Sequence, residues 1–197
     1  DGNFVAAACH RGVDFIDPTT LKFSRTIGSG EPAFKNLAFS KDGRSLAALS
    51  FYGSVHVFDP ATGTETSTLP ADVFKADEFA FSPDGKTVAC FGKDKKSIYF
   101  WNTADTGKST TIPAPEEYIA ALAYSPDSRL LAAAYCSIHI FDTAESREIR
   151  RIDGDWGSIA DMQFSPDGKF LASGSQDCSI LIWDVAELLK DQSAPNQ

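Results

Sequence analysis

Three histidines, four cysteines, a Gly-Lys-Thr triplet and several close carboxylates are the residues of this chain whose types could do chemistry. Histidine serves as a general base or a metal ligand when partners stand near it. His56 and His139 fall in the same slot of two like stretches, V-H-V-F-D and I-H-I-F-D, so each belongs to its own copy of one unit. Copies of a unit stand too far apart to share an ion, and both residues are expected as half-exposed strand positions. Cys9 and His10 are adjacent soft donors, but no second pair follows at zinc-site spacing. Gly85-Lys86-Thr87 and Gly107-Lys108-Ser109 imitate the end of a phosphate loop. The glycine that must open such a loop is Ala80 in one case and Asn102 in the other. Neither G-x-G-x-x-G nor G-x-S-x-G occurs. Glu116-Glu117, Asp77-Glu78, Asp153 and Asp155 read as solvated loop acids. The expectation is a chain without catalytic residues, metal or cofactor.

Composition limits the partners. The chain has 197 residues, 43% of them hydrophobic, and 15 are Phe, which is enough to bury a substantial core. Eighteen Lys and Arg against 27 Asp and Glu give a net charge of −9. So acidic a chain repels phosphate backbones and anionic lipid surfaces, so neither nucleic acid nor membrane is an expected partner. No apolar run approaches the roughly 20 residues needed to cross a bilayer as a helix. Cys9, Cys90, Cys136 and Cys178 show no C-x-x-C spacing and read as reduced thiols. With no N-x-S/T sequon either, the expected compartment is the cytoplasm.

The elements that must position these residues repeat. F-S-K-D-G-R at 39–44 returns as F-S-P-D-G-K at 81–86, Y-S-P-D-S-R at 124–129 and F-S-P-D-G-K at 164–169, at spacings of 42, 43 and 40 residues. One more step back reaches Asp1-Gly2, the same turn of an earlier copy. Each turn is followed by an apolar run (4–9, 46–49, 88–91, 130–135, 170–173). An alternating run then ends in Asp or Asn (13–17, 55–59, 98–102, 138–142, 180–184). Short β-branched and aromatic runs bounded by Gly, Asp, Ser and Pro predict strands. In the turn itself Pro presets φ, Asp bonds its own backbone and Gly takes positive φ. A polar strand closes most copies (22–27, 65–69, 108–112, 148–152). Each copy is therefore four antiparallel strands, a to d, in about 42 residues.

These residues resemble the WD-repeat β-propeller family. Trp183-Asp184 keeps the closing dipeptide, while Trp101-Asn102, Phe58-Asp59, Phe141-Asp142 and Ile16-Asp17 are relaxed versions of it. The family's Gly-His before strand a is missing, and Asp of the b–c turn survives as Asp94 and Asp177. Its buried His–Ser/Thr–Asp–Trp network is therefore not expected as a whole, and stability should rest on apolar packing between blades. The resemblance implies an all-β propeller over residues 1–185, with blades at about 1–28, 29–70, 71–113, 114–153 and 154–185. A tail follows at 186–197, opening on one helical turn. The first blade lacks its inner strand and the last its outer one. At the 40–45 residues of such repeats, a seven-bladed ring needs about 295 residues. The chain thus reads as the C-terminal part of a larger propeller whose remainder precedes residue 1, with a complete five-bladed ring as the alternative. Inner-strand core positions are Leu37, Phe39, Phe79, Phe81, Leu122, Tyr124, Met162 and Phe164.

The resemblance also implies a function, non-catalytic scaffolding that binds protein or peptide through loops of one rim. On the d–a loops, Phe74, Lys75, Glu117, Tyr118 and Trp156 are the candidate partner-binding residues, since aromatics beside charge favour interface hot spots. The same rings could instead tuck between blades. The alternative is a regulatory or sensor module fused to a catalytic domain outside these residues. A propeller enzyme would need polar groups converging on the axis, where strand a offers Lys35, Asn36, Asp77, Glu78 and Asp161.

Overall fold

The computed structural model describes residues 4–30, 33–71, 76–92, 95–105, 109–116, 118–154 and 157–190. Two compact units divide the chain, Asp1–Ala114 and Pro115–Gln197. The described residues form eighteen strands and one turn of helix.

The first unit holds three antiparallel sheets. The first joins β1 (Val5–Cys9), β2 (Gly12–Ile16) and β3 (Phe23–Ile27). The second joins β4 (Phe34–Phe39), β5 (Leu46–Ser50), β6 (Val55–Phe58) and β7 (Glu65–Leu69). The third joins β8 (Glu78–Phe81), β9 (Thr87–Phe91), β10 (Ser97–Asn102) and β11 (Ser109–Pro113). The second unit holds two. One joins β12 (Ala121–Tyr124), β13 (Leu130–Ala134), β14 (Ser137–Asp142) and β15 (Arg147–Asp153). The other joins β16 (Ile159–Phe164), β17 (Phe170–Ser175) and β18 (Ile180–Asp184), and α1 (Val185–Leu188) follows. The strands run in chain order within each sheet, as the forty-odd-residue rhythm requires. The first and last sheets carry three strands among the described residues.

The repeated turn works as one hydrogen-bonded unit. Ser40, Ser82, Ser125 and Ser165 each donate a hydroxyl to the Asp two residues on, at 2.6 to 2.7 Å. The same hydroxyl oxygens accept the N–H that opens strand b, at 2.9 to 3.0 Å. The Asp then accepts a backbone N–H from the residue two further along, at 3.0 to 3.1 Å. Three copies place Gly at φ near +70° in this turn, and Ser128 takes φ +63° in the fourth. For a residue with a Cβ that conformation costs on the order of 1 kcal/mol.

Packing explains why the strands are apolar on both faces. Alternate residues of the second sheet point opposite ways. Leu46, Ala48 and Phe58 pack with Val13, Phe15 and Ile27 of the first sheet. Ala47, Leu49, Val55 and Val57 pack with Phe79, Phe81, Val88 and Trp101 of the third. In the second unit, Ala123, Ala132, Ile138 and Ile140 meet Met162, Phe164 and Leu171. Burial of each large side chain contributes roughly 1.5–3 kcal/mol. Two expected core residues differ. Phe39 is 40% exposed and Leu37 half-buried. Phe39 meets the first sheet edge-on at Phe15, 6.4 Å between centroids, beside an open hollow of about 280 Å³ that also borders Phe4 and Arg25. The other six inner-strand positions are buried. No helix among the described residues is long and apolar enough to cross a membrane.

Candidate interaction rim

Of the five partner-binding candidates, Phe74, Lys75, Glu117 and Trp156 lie outside the described residues. Tyr118 is described. It is 43% exposed, and its ring stands edge-on to Tyr135 at 5.0 Å. The loop that carries it is fastened by Glu116. One Glu116 oxygen accepts the Cys136 N–H at 3.0 Å. The other accepts the Ser137 N–H at 2.9 Å and the Ser137 hydroxyl in a very short contact. Burial pushes the Glu116 carboxyl up, but these donors and the nearby His139 ring outweigh it and hold it below the usual carboxylate range.

The b–c turns of the first unit carry aromatics that the sequence reading passed over. Phe51 and Tyr52 are 61% and 70% exposed in the turn between β5 and β6. The His10 ring, in the turn between β1 and β2, lies nearly parallel to Phe51, 6.5 Å between centroids and 11° between planes. The available signal was an aromatic pair placed just after an apolar strand and just before Gly53, where no strand face remains to bury it.

The strand-c histidines correct the half-exposed expectation. His56 is 5% exposed and His139 1%. His56 Nε2 lies 2.9 Å from the Ser54 hydroxyl and Nδ1 3.2 Å from Glu65. His139 Nε2 lies 3.0 Å from the Ser137 hydroxyl and Nδ1 2.9 Å from Glu148. Ser and Glu stand at the same offsets in both, Ser two residues before His and Glu nine after. The sheets are covered on both faces here, so alternation along strand c no longer separates inside from outside. Ser–His–Glu contacts are those of acyl-transfer enzymes. Here the hydroxyls belong to residues 8% and 3% exposed, where no substrate carbonyl reaches the oxygen. The clusters therefore brace the blades by satisfying buried polar groups.

Other chemical candidates resolve in the same direction. Gly85, with φ +73°, sits in the hairpin turn built on Ser82 and Asp84, where no helix N-terminus is present to hold phosphate. Gly107 and Lys108 lie outside the described residues. Burial pushes the Cys90 thiol up to about 12, which keeps it inert. In the last sheet Trp183 Nε1 donates to the Ser173 hydroxyl at 3.0 Å.

Comparison with known proteins agrees with this architecture. Residues 146–184 match the family model described as WD domain, G-beta repeat. A curated relative is U3 small nucleolar RNA-associated protein 15 of Schizosaccharomyces pombe, 27% identical over 112 residues. That match covers 55% of this chain and 23% of the relative. A solved structure, the β-propeller domain of Myceliophteria thermophila Cps50 (Swd1), is similar over 100% of this chain and 66% of its own length, with a TM-score of 0.80 at 17% identity. The chain thus spans about a quarter of the curated relative and about two thirds of the solved domain. The sheets of three and four strands and the likeness to the solved domain give the chain the β-propeller fold, and within it residues 146–184 match the WD-repeat model.

Proposed function

We propose that the chain is a non-catalytic platform whose rim loops and turns bind protein or peptide partners. The observation that carries this reading is the exposure of large aromatics on loops and turns of each unit taken by itself, Phe51 and Tyr52 in the first and Tyr118 in the second. Rings held in water by tight turns are available to fill a partner's pockets. The polar clusters capable of chemistry, by contrast, are buried in the blades. The curated relative's name associates it with U3 small nucleolar RNA. For this chain the net charge of −9 favours protein contacts over RNA contacts. A cytoplasmic location belongs to the same reading, supported by four free cysteines, and imaging of a tagged full-length chain tests it against a nucleolar one.

The test is affinity capture from cell extract with the full-length chain that carries these residues, comparing wild type with Tyr118→Ala and with Phe51→Ala/Tyr52→Ala. The expected outcome is loss of specific protein partners in at least one variant, with an unchanged melting curve. Identical capture by all three would contradict the rim assignment.

A further inference from the structure

The two units differ in charge. Among the described residues the first holds nine Lys and Arg against nine Asp and Glu, whereas the second holds six against eleven, a net charge of −5. The cations of the second unit are engaged by its own acids or lie away from its rim. Arg147 pairs with Glu145, Lys169 with Asp167 and Lys190 with Glu187. Arg129 lies near Asp127 in the a–b turn, and Arg150 is half-buried in β15. Arg151 donates to Asp153 at 2.7 Å and lies in the field of Glu116 and Glu148.

The rim of this unit is joined from loop to loop. Tyr118, on the d–a loop, meets Tyr135, on the b–c turn, edge-on. The Tyr135 carbonyl accepts the Ile159 N–H at 2.6 Å, and the adjacent Ser158 carbonyl accepts the Gln176 N–H at 2.9 Å. Asp161, two residues along β16 from Ile159, and Asp177, next to Gln176, are both exposed. Each accepts one backbone N–H at 2.8 Å, Asp161 from Met162 and Asp177 from Ser179. The bonds from Ser179 hold the Asp177 carboxyl below its ordinary value, so it is charged at neutral pH. Neither carboxylate is in an ion pair with Lys or Arg among the described residues. Glu116 differs, because its oxygens are engaged by Cys136 and Ser137 and so fix the loop under Tyr118.

Resting on the rim reading above, we propose that the rim of the second unit docks a basic peptide segment, with an arginine laid on the ring of Tyr118 and the peptide's cations set against Asp161 and Asp177. A planar guanidinium stacks on an aromatic face, and Tyr118 is 43% exposed to receive it. A loop already fastened by Glu116 loses little freedom when the partner arrives. The excess of acid around the rings selects the sign of that partner. Nucleic acid and acidic peptides meet repulsion at the same surface.

Fluorescence anisotropy with two short labelled probes tests this on the full-length chain. The probes are a peptide alternating arginine with glycine and serine, and the same peptide with glutamine for arginine. The arginine peptide is expected to bind about tenfold tighter than the glutamine one and to weaken as ionic strength rises. Asp161→Asn/Asp177→Asn and Tyr118→Ala should each weaken it about fivefold or more, and Tyr118→Phe should keep it, with melting curves unchanged. Phe51→Ala/Tyr52→Ala, in the other unit, should bind it as wild type does. Should Tyr118→Ala lower the melting midpoint, the Asp161→Asn/Asp177→Asn variant decides. Equal binding of the two peptides, no binding of the arginine one, no effect of the aspartate variant, or an equal loss in Phe51→Ala/Tyr52→Ala overturns the proposal. If the arginine peptide fails while Tyr118→Ala still loses partners from cell extract, the rim reading stands and this inference falls. If capture is also the same in every variant, both fall.

Discussion

His56 and His139 occupy one slot of the repeat, and their neighbours among the described residues differ. In the second blade, the Ser54 hydroxyl beside His56 is joined by the Ser50 hydroxyl at 2.7 Å, and the ring lies against Phe34 and Phe58. In the fourth blade, the equivalent hydroxyl is taken by Glu116, and a carboxylate stands on each side of His139, at 3.5 and 2.9 Å. Among the described residues the first cluster joins two hydroxyls and the Glu65 carboxylate to His56 inside an aromatic box. The second is a charged knot that also ties down the loop bearing Tyr118. The repeat fixes where a polar brace sits, and in the fourth blade that brace also fastens the d–a loop bearing Tyr118.

Removing the two rings is the strongest way to break this comparison. His139→Ala leaves Glu116, 17% exposed, and the buried Ser137 facing a void. It is expected to cost about 3 kcal/mol. His56→Ala leaves Glu65, 29% exposed and able to rehydrate, so a smaller loss of about 1.5 kcal/mol is expected. Denaturant unfolding measures both, and equal losses would erase the distinction.

Glu116→Gln sharpens the comparison. It keeps the shape but removes the charge that gathers four contacts, and about 2 kcal/mol is expected to be lost. The pH dependence carries a sign. Because the folded Glu116 carboxyl sits below its ordinary value, its contribution is full above that value of 4.5 and is lost as pH falls through the lower folded one. The wild-type chain should thus lose stability toward acid more steeply than Glu116→Gln, as parallel unfolding curves at pH 7 and in mild acid would show. Hydrogen exchange at 118–120 should rise in the variant, whereas His56→Ala should leave those amides unchanged.

The smallest expected effect concerns a second matched pair. Trp183 donates to Ser173, two residues beyond its cross-strand neighbour Leu171. Trp101 has Val88 as that neighbour, and two residues beyond it stands Cys90. There the buried Trp101 Nε1 finds no hydrogen-bond partner among the described residues. Cys90→Ser supplies a hydroxyl at that position, and a gain of about 1 kcal/mol is expected in thermal melting. A loss of stability would mean that the indole does not reach position 90.

Much of this was legible in the residues. The Ser-Pro-Asp-Gly rhythm placed all five sheets, because a turn that satisfies its own backbone can be read locally. The alternating runs gave the strands to within two residues. Burial was harder. Phe39 was expected inside with Phe81 and Phe164, but the residue type at one strand end does not show how much of the neighbouring sheet covers it. His56 and His139 were misread because a blade packed on both sides has no outer face to mark polarity. The S-x-H spacing and the Glu nine residues on were visible, but nothing local tells a buried triad from three solvated side chains. Phe51 and Tyr52 escaped notice because they follow an apolar run and look like its continuation.

Melting curves of two variants of the full-length chain test most directly whether the blades hold the fold and the rim is left free for partners. His139→Ala should lower the midpoint by about 6 °C or more, while Phe51→Ala/Tyr52→Ala should leave it within about 1 °C of wild type. Equal falls in both, or a larger fall in the aromatic variant, would contradict the account.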